Sequence, residues 1–156
     1  MNEQASQRSL DLFRSGFFCA ESVLQAIAES QGIRSDLIPR IASGFCSGIS
    51  RTGCICGAVS GAIMGLNLVA GRNSPSESIE SSFTLTQKLI SQFEKQFGSV
   101  NCRQLIGCDL LTEAGQRYFM ENAVMDHCLQ YAQAATSMAI SLIAEFHEKF
   151  YESHRQ

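Results

Sequence analysis

The stretch GFCSGISRTGCICGAVSGAIMG, from Gly44 to Gly65, carries six glycines and three cysteines in 22 residues, and its reading decides the fold. From Ile55 onward it has the make-up of a helix. Gly57, Gly61 and Gly65 stand four residues apart, so on a helix they form one bare stripe with Ala58 and Ala62 beside it. Each glycine costs a helix roughly 1 kcal/mol relative to alanine, so about 3 kcal/mol must be recovered by tertiary contact. Something must therefore approach the stripe closely. Two occupants meet that need: another helix backbone, in the core or across a homodimer interface, or a bulky inorganic or organic group. The two coexist if the helix that packs there also supplies a ligand.

The same region raises the question of a membrane. Thr52 to Gly71 is a run of 20 residues without a charge, flanked by Arg51 and Arg72, and it contains small-xxx-small spacing. Its glycines, with Thr52, Ser60 and Asn67, keep its apolar density low for hydrocarbon, so a buried helix and no membrane span is expected.

Outward from this stretch nearly every strong local signal is helical, and no alternation of β-branched residues competes. With 156 residues, 45% hydrophobic and 17% charged, the chain is expected to form one domain over residues 1–156, an all-α multi-helix bundle around the glycine-rich helix. Segments from about Glu3 to Ser15 and from Cys19 to Ser30 close at Gly16 and Gly32, used as left-handed caps. A helix is expected from about Asp36 to Phe45, with Pro39 in its first turn. Ser74-Pro75-Ser76-Glu77 reads as a helix start with a capping box, followed by a stripe of Ile79, Phe83, Ile90, Phe93 and Phe97 that Gly98 ends. A short turn spans Asn101 to Ile106, Thr112 caps a helix toward Met120, and the longest helix runs from about Met125 to Tyr151. Its apolar face is expected to comprise Cys128, Tyr131, Ala135, Met138, Leu142, Phe146 and Phe150, before a solvated tail EKFYESHRQ.

Charge and motifs exclude several classes. A net charge of -3 with 12 Lys and Arg spread along the chain gives no electrostatic footprint for nucleic acid. GxGxxG and GxxxxGK[ST] are absent, and no Ser/His/Asp arrangement can be argued. The opening MNEQASQRSLDLFRS has no basic region followed by an apolar one, so a cytoplasmic protein is expected. In a reducing compartment seven cysteines are not a disulfide framework, which leaves metal ligation, redox work or burial.

Position separates four of the thiols from the rest. Cys19 follows the break at Gly16, Cys56 follows Gly53, Cys102 follows the candidate cap Asn101, and Cys128 sits in the opening turns of the last helix. Near helix N-termini, unpaired N–H groups and the dipole favour a thiolate or an anionic metal-thiolate cluster. Local spacing does not choose the metal. Cys54 and Cys56 lie about 200° apart on a helix, so both face one centre only if the helix begins between them. Five residues between Cys102 and Cys108 match neither a zinc knuckle nor a ferredoxin run. A thioredoxin-like site is disfavoured because C-x-x-C is absent. His127 adjoins Cys128 and is a lesser candidate ligand or base. His147 and His154 read as surface residues, and Glu21 and Asp109 as capping groups standing close to candidate ligands.

FFCAESVL at Phe17 to Leu24, SGFCSGISRTGCICGAVSGAIMGLNL at Ser43 to Leu68, FGSVNCRQLIGCDL at Phe97 to Leu110 and the late Cys128 together resemble the C_GCAxxG_C_C family of redox-active proteins. The resemblance spans roughly Leu10 to Ala135, and CGAVSGA at Cys56 to Ala62 is its most specific piece. Carried over, the family's four cysteines fall on Cys19, Cys56, Cys102 and Cys128. The resemblance implies a helical, cysteine-based redox or metal-binding module, with an iron-sulfur centre associated with some relatives. Cys46, where glycine is common, and Cys54 and Cys108 stand outside that set, and replacing a ligand, forming a reversible disulfide and simple packing are the roles open to them.

The leading expectation is therefore an iron-sulfur cluster, such as [2Fe-2S], held by Cys19, Cys56, Cys102 and Cys128 for electron transfer or sensing with an unidentified redox partner. Zinc is the metal alternative. Two further alternatives are a metal-free thiol-disulfide oxidoreductase and a helical dimerisation module with structural cysteines.

Overall fold

The structure is a computed structural model and describes residues 1–153. Eight α elements and one 3-10 helix follow one another: α1 (Asn2–Arg14), α2 (Cys19–Ser30), η1 (Arg40–Phe45), α3 (Cys46–Ser50), α4 (Gly57–Ala70), α5 (Glu80–Phe97), α6 (Cys102–Ile106), α7 (Glu113–Glu121) and α8 (Val124–Ser153). Among the described residues there is no strand, and a single antiparallel bridge joins Ile55 to Asn101. The all-α expectation holds. No described helix is long and apolar enough to cross a membrane.

The glycine-rich helix α4 is buried on nearly every side, as a helix apolar all round must be. It packs against α2, α8 and α5, while α1 lies over α2 and α8. Leu66 and Val59 of α4, Ile27 and Val23 of α2, Leu89 and Phe93 of α5, and Ala135 and Leu142 of α8 belong to one core cluster. Against α2 the bare stripe closes: a Cβ on Gly61 would stand 2.6 Å from the Ala20 carbonyl oxygen, and one on Gly65 would stand 2.6 Å from Ile27 Cδ1. The close neighbour foreseen for the stripe is thus α2, through its backbone at Gly61 and through the Ile27 side chain at Gly65.

Several boundaries follow the chain's own punctuation. Helix α2 spans Cys19–Ser30, and Gly32 beyond it takes φ +69°. Gly98 ends α5 at φ +83°. Thr112 caps α7 by accepting the Gly115 N–H at 2.9 Å.

Other expectations are corrected. Residues 36–39 form turns, and only Arg40–Phe45 is helical, as 3-10, because Pro39 brings no N–H to continue a regular ladder. The Ser74-Pro75-Ser76-Glu77 signal does not start a helix; Glu77 instead accepts the Asn73 N–H at 2.8 Å, which satisfies the side chain inside a closed turn, and α5 begins at Glu80. Its buried face is Leu85, Leu89 and Phe93, with Phe83 exposed. Along α8, Tyr131, Ala135 and Leu142 are buried as expected, joined by Ala132, Ala139, Ile140 and Ile143, whereas Phe150 is exposed. The helix continues through most of the expected tail, and His154 lies outside the described residues.

The glycine-rich link before α4 holds the least ordinary backbone. Ser47, Gly48, Ile49, Ser50 and Arg51 all have positive φ, between 53° and 73°, so α3 is a left-handed turn. Left-handed geometry costs an L-residue roughly 1–2 kcal/mol, and four of these five carry a side chain. Gly48 is required here twice over, since a Cβ would also collide with Cys102.

Candidate functional site

Three of the four singled-out thiols stand at helix starts. Cys19 is the first residue of α2, Cys56 caps α4 and Cys102 opens α6; Cys128 lies in the second turn of α8. The bridge at Ile55 and Asn101 ties two of these starts together: the Cys56 N–H donates to the Val100 oxygen and the Cys102 N–H to the Cys54 oxygen, both at 2.7 Å.

All four line one cavity of about 580 Å³, and Cys46 is a fifth thiol on its wall. Phe13, Leu105, Ile106, Phe119 and Tyr131 make much of the rest apolar, and Arg51 is the one charged residue lining it among those described. Gly57 lines it too: a Cβ there would occupy the place of Cys19 Sγ, so the first glycine of the stripe makes room for sulfur while the next two make room for α2.

The thiols fall into two neighbourhoods. Cys128 lies within electrostatic reach of Cys56, Cys102 and Cys108. Cys102 and Cys108 pack with Ile106, Val124 and Cys128 in a small cluster of their own. On the opposite wall Cys46 packs with Cys19 in another small cluster. The Ser47 N–H donates to Cys19 Sγ at 3.5 Å, and Cys46 Sγ donates to the Ala42 oxygen at 3.7 Å. Cys54 is exposed.

Burial, and not the helix dipole, dominates the acidity of Cys56, Cys102 and Cys128. It pushes Cys56 up to about 11, although the Ala58 and Val59 amides face its sulfur and pull the other way. Burial and then the neighbouring Cys108 push Cys102 up to about 11. Cys128 is pushed up to about 12 by burial first and by Cys56, Cys102 and Cys108 second. The neighbouring Cys19, and then burial, raise Cys46 further still. Dipole-favoured thiolates were the expectation from helix position; desolvation outweighs the dipole because these sulfurs are shut away from water. Tyr131, raised by burial and then by the same sulfurs, donates its hydroxyl to the Leu105 oxygen at 3.1 Å.

The lesser candidates resolve simply. His127 and His147 are exposed. Glu21 accepts the Phe18 N–H at 2.9 Å and the Ser43 hydroxyl at 2.5 Å, so it caps α2 and straps η1 to it beside Cys19. Asp109 accepts the Leu111 N–H at 3.0 Å and pairs with Arg103 at 3.1 Å.

A single zinc needs its sulfurs about 2.3 Å from one point. Among the described residues no three His, Cys, Asp or Glu side chains gather in that way. The four thiols line the walls of one largely apolar cavity, with backbone N–H groups facing two of the sulfurs.

A helical bundle that turns four separated thiols into one cavity defines a class of cysteine-based proteins, and comparison with known sequences places it further. The profile described as "Putative redox-active protein (C_GCAxxG_C_C)" matches residues 17–142, and the chain belongs to that family. A protein of Archaeoglobus fulgidus, itself described only as uncharacterized, is 30% identical over 129 residues, covering 76% of this chain and 85% of its own length. No solved structure matches.

Sequence reasoning left Cys46 between replacing a ligand, forming a reversible disulfide and packing, and did not pair it with Cys19. Its partner Cys19 lies 27 residues away along the chain, and no local spacing announces a contact made through a left-handed turn.

Proposed function

We propose that this chain is a cytoplasmic redox protein that holds an iron-sulfur cluster through Cys19, Cys56, Cys102 and Cys128, for electron transfer or sensing. The observation that carries the reading is that these four thiols, drawn from four helices, line one largely apolar cavity of about 580 Å³. When bound, such a cluster supplies a one-electron couple whose potential depends on hydrogen bonds to sulfur and on exclusion of water.

The chain's own groups fit that task. The Ser47, Ala58 and Val59 amides would offset negative charge on Cys19 and Cys56. Buried, protonated thiols release protons as metal replaces them, so loading is favoured by rising pH. Phe18, Met120 and Met125, exposed where they line the cavity, mark the side where a redox partner would approach.

The test is purification without oxygen, followed by iron, zinc and acid-labile sulfide per chain and the visible spectrum, for wild type and Cys56→Ser. Iron with matching sulfide that disappears in the variant is expected. No metal in either protein overturns the reading.

A further inference from the structure

We propose that Cys19 and Cys46 form a second, metal-independent redox site: a dithiol that closes to a disulfide at the expense of a small, carboxylate-bearing disulfide entering the cavity. Cys46 belongs to neither the family's four cysteines nor the proposed ligand set, yet it packs against Cys19, whose sulfur accepts the N–H of the next residue, Ser47. Both sulfurs line the cavity, and all seven cysteines are free in the structure.

The two partners are unequal in the way an attacking and a resolving thiol must be. Cys19 is half-buried and accepts the Ser47 N–H, while Cys46 is buried behind it with its S–H directed to the Ala42 oxygen. An external sulfur therefore reaches Cys19 first. Glu21, bonded to both the Phe18 N–H and the Ser43 hydroxyl, holds the start of α2 to the segment carrying Cys46.

The reaction balances without a metal. Cys19 Sγ, as thiolate, attacks one sulfur of R–S–S–R′; a Cys19–S–R bond forms, the S–S bond breaks, and R′S⁻ leaves and takes up the proton that Cys19 lost. Cys46 Sγ then attacks Cys19 Sγ, the intramolecular disulfide forms, and RS⁻ leaves with the proton from Cys46. Two protein thiols are oxidised and one external disulfide is reduced to two thiols.

The cavity selects the oxidant. At about 580 Å³ it has the size of a small-molecule pocket, too small for the disulfide of a folded protein. Arg51 is its one charged lining residue among those described, which favours a disulfide bearing carboxylates. Where Cys19 also serves as a ligand, the closed disulfide and the loaded site exclude one another.

The full-length chain, reduced and chelator-treated, is exposed to oxidised glutathione, alkylated and mapped by peptide mass. A Cys19–Cys46 linkage with loss of two free thiols per chain is expected. A linkage confined to Cys56, Cys102, Cys108 or Cys128, or seven thiols still free, overturns the proposal. Cys46→Ser is expected to accumulate a lasting glutathione adduct on Cys19, and wild-type behaviour in that variant also overturns it. Arg51→Gln is expected to slow the reaction with oxidised glutathione several-fold and leave that with cystamine unchanged; equal slowing of both overturns the assignment of Arg51. Iron and sulfide measured on the untreated protein keep the two readings apart: a chain without metal that still forms the linkage sinks only the cluster, and a loaded chain that never forms it sinks only the dithiol.

Discussion

The contact between α2 and α4 is two different structures at its two ends. Toward the C-terminus, Gly61 and Gly65 press a regular helix against Ala20, Val23 and Ile27, and the missing side chains let two backbones approach. Toward the N-terminus, Gly57 faces Cys19 Sγ and the Phe45 oxygen, both helices are just beginning, and a left-handed turn fills the gap between them. One device, glycine every fourth residue, serves close packing at one end and leaves space for sulfur at the other. The packed end holds the bundle together, and the open end keeps its unpaired amides for the thiols.

The sharpest way to separate the ends is pH. In the unfolded chain the thiols ionise near their ordinary 9.0, whereas Cys56, Cys102 and Cys128 in the folded, metal-free protein are held at about 11, 11 and 12. The unfolded state therefore loses protons first, and the contribution of these three thiols to stability falls as pH rises from 9 through 12. Several kcal/mol of alkaline destabilisation is expected in denaturant melts of the reduced protein. Replacing all three with serine should flatten the curve.

Gly61→Ala comes next. Its Cβ would meet the backbone of Ala20, which cannot rotate away, so a loss of about 2 kcal/mol is expected despite alanine's better helix propensity. Gly65→Ala meets only the Ile27 side chain, with its atoms 2.6 to 2.9 Å from the new methyl, and should cost about 1 kcal/mol in the same melts. Gly57→Ala is expected to cost less than Gly61→Ala, about 1 kcal/mol, because the sulfur of Cys19 can turn aside and the nearest backbone atom, the Phe45 oxygen, stands at 3.0 Å and not 2.6 Å. It should instead change the maleimide reactivity of Cys19 several-fold. If Gly57→Ala unfolded the protein as readily as Gly61→Ala, the distinction between the two ends would fall.

Legibility in the sequence follows the same division. The limits of α2, the glycine ends at Gly32 and Gly98 and the Thr112 cap were readable because each depends on atoms within a few residues. The bare stripe on α4 was readable as a demand for a close neighbour, since three glycines on one face cost more than a helix alone can recover. Ser74-Pro75-Ser76-Glu77 misled because the same local bonds that cap a helix also close a free-standing turn. The left-handed run from Ser47 to Arg51 had no local signal beyond its glycines, because four residues there adopt a conformation their side chains disfavour.

By itself, then, the sequence determined the all-α class, most of the helices, the stripe that must be covered and three thiols at helix starts, for these depend on local periodicity, capping and the absence of side chains. Only the tertiary structure decided which thiols share a wall, that Cys46 packs against Cys19, and that burial overrides the helix dipole in setting the acidity of Cys56 and Cys102. Those outcomes depend on contacts between segments far apart in the chain and on the exclusion of water, and neither is written in any one stretch of residues.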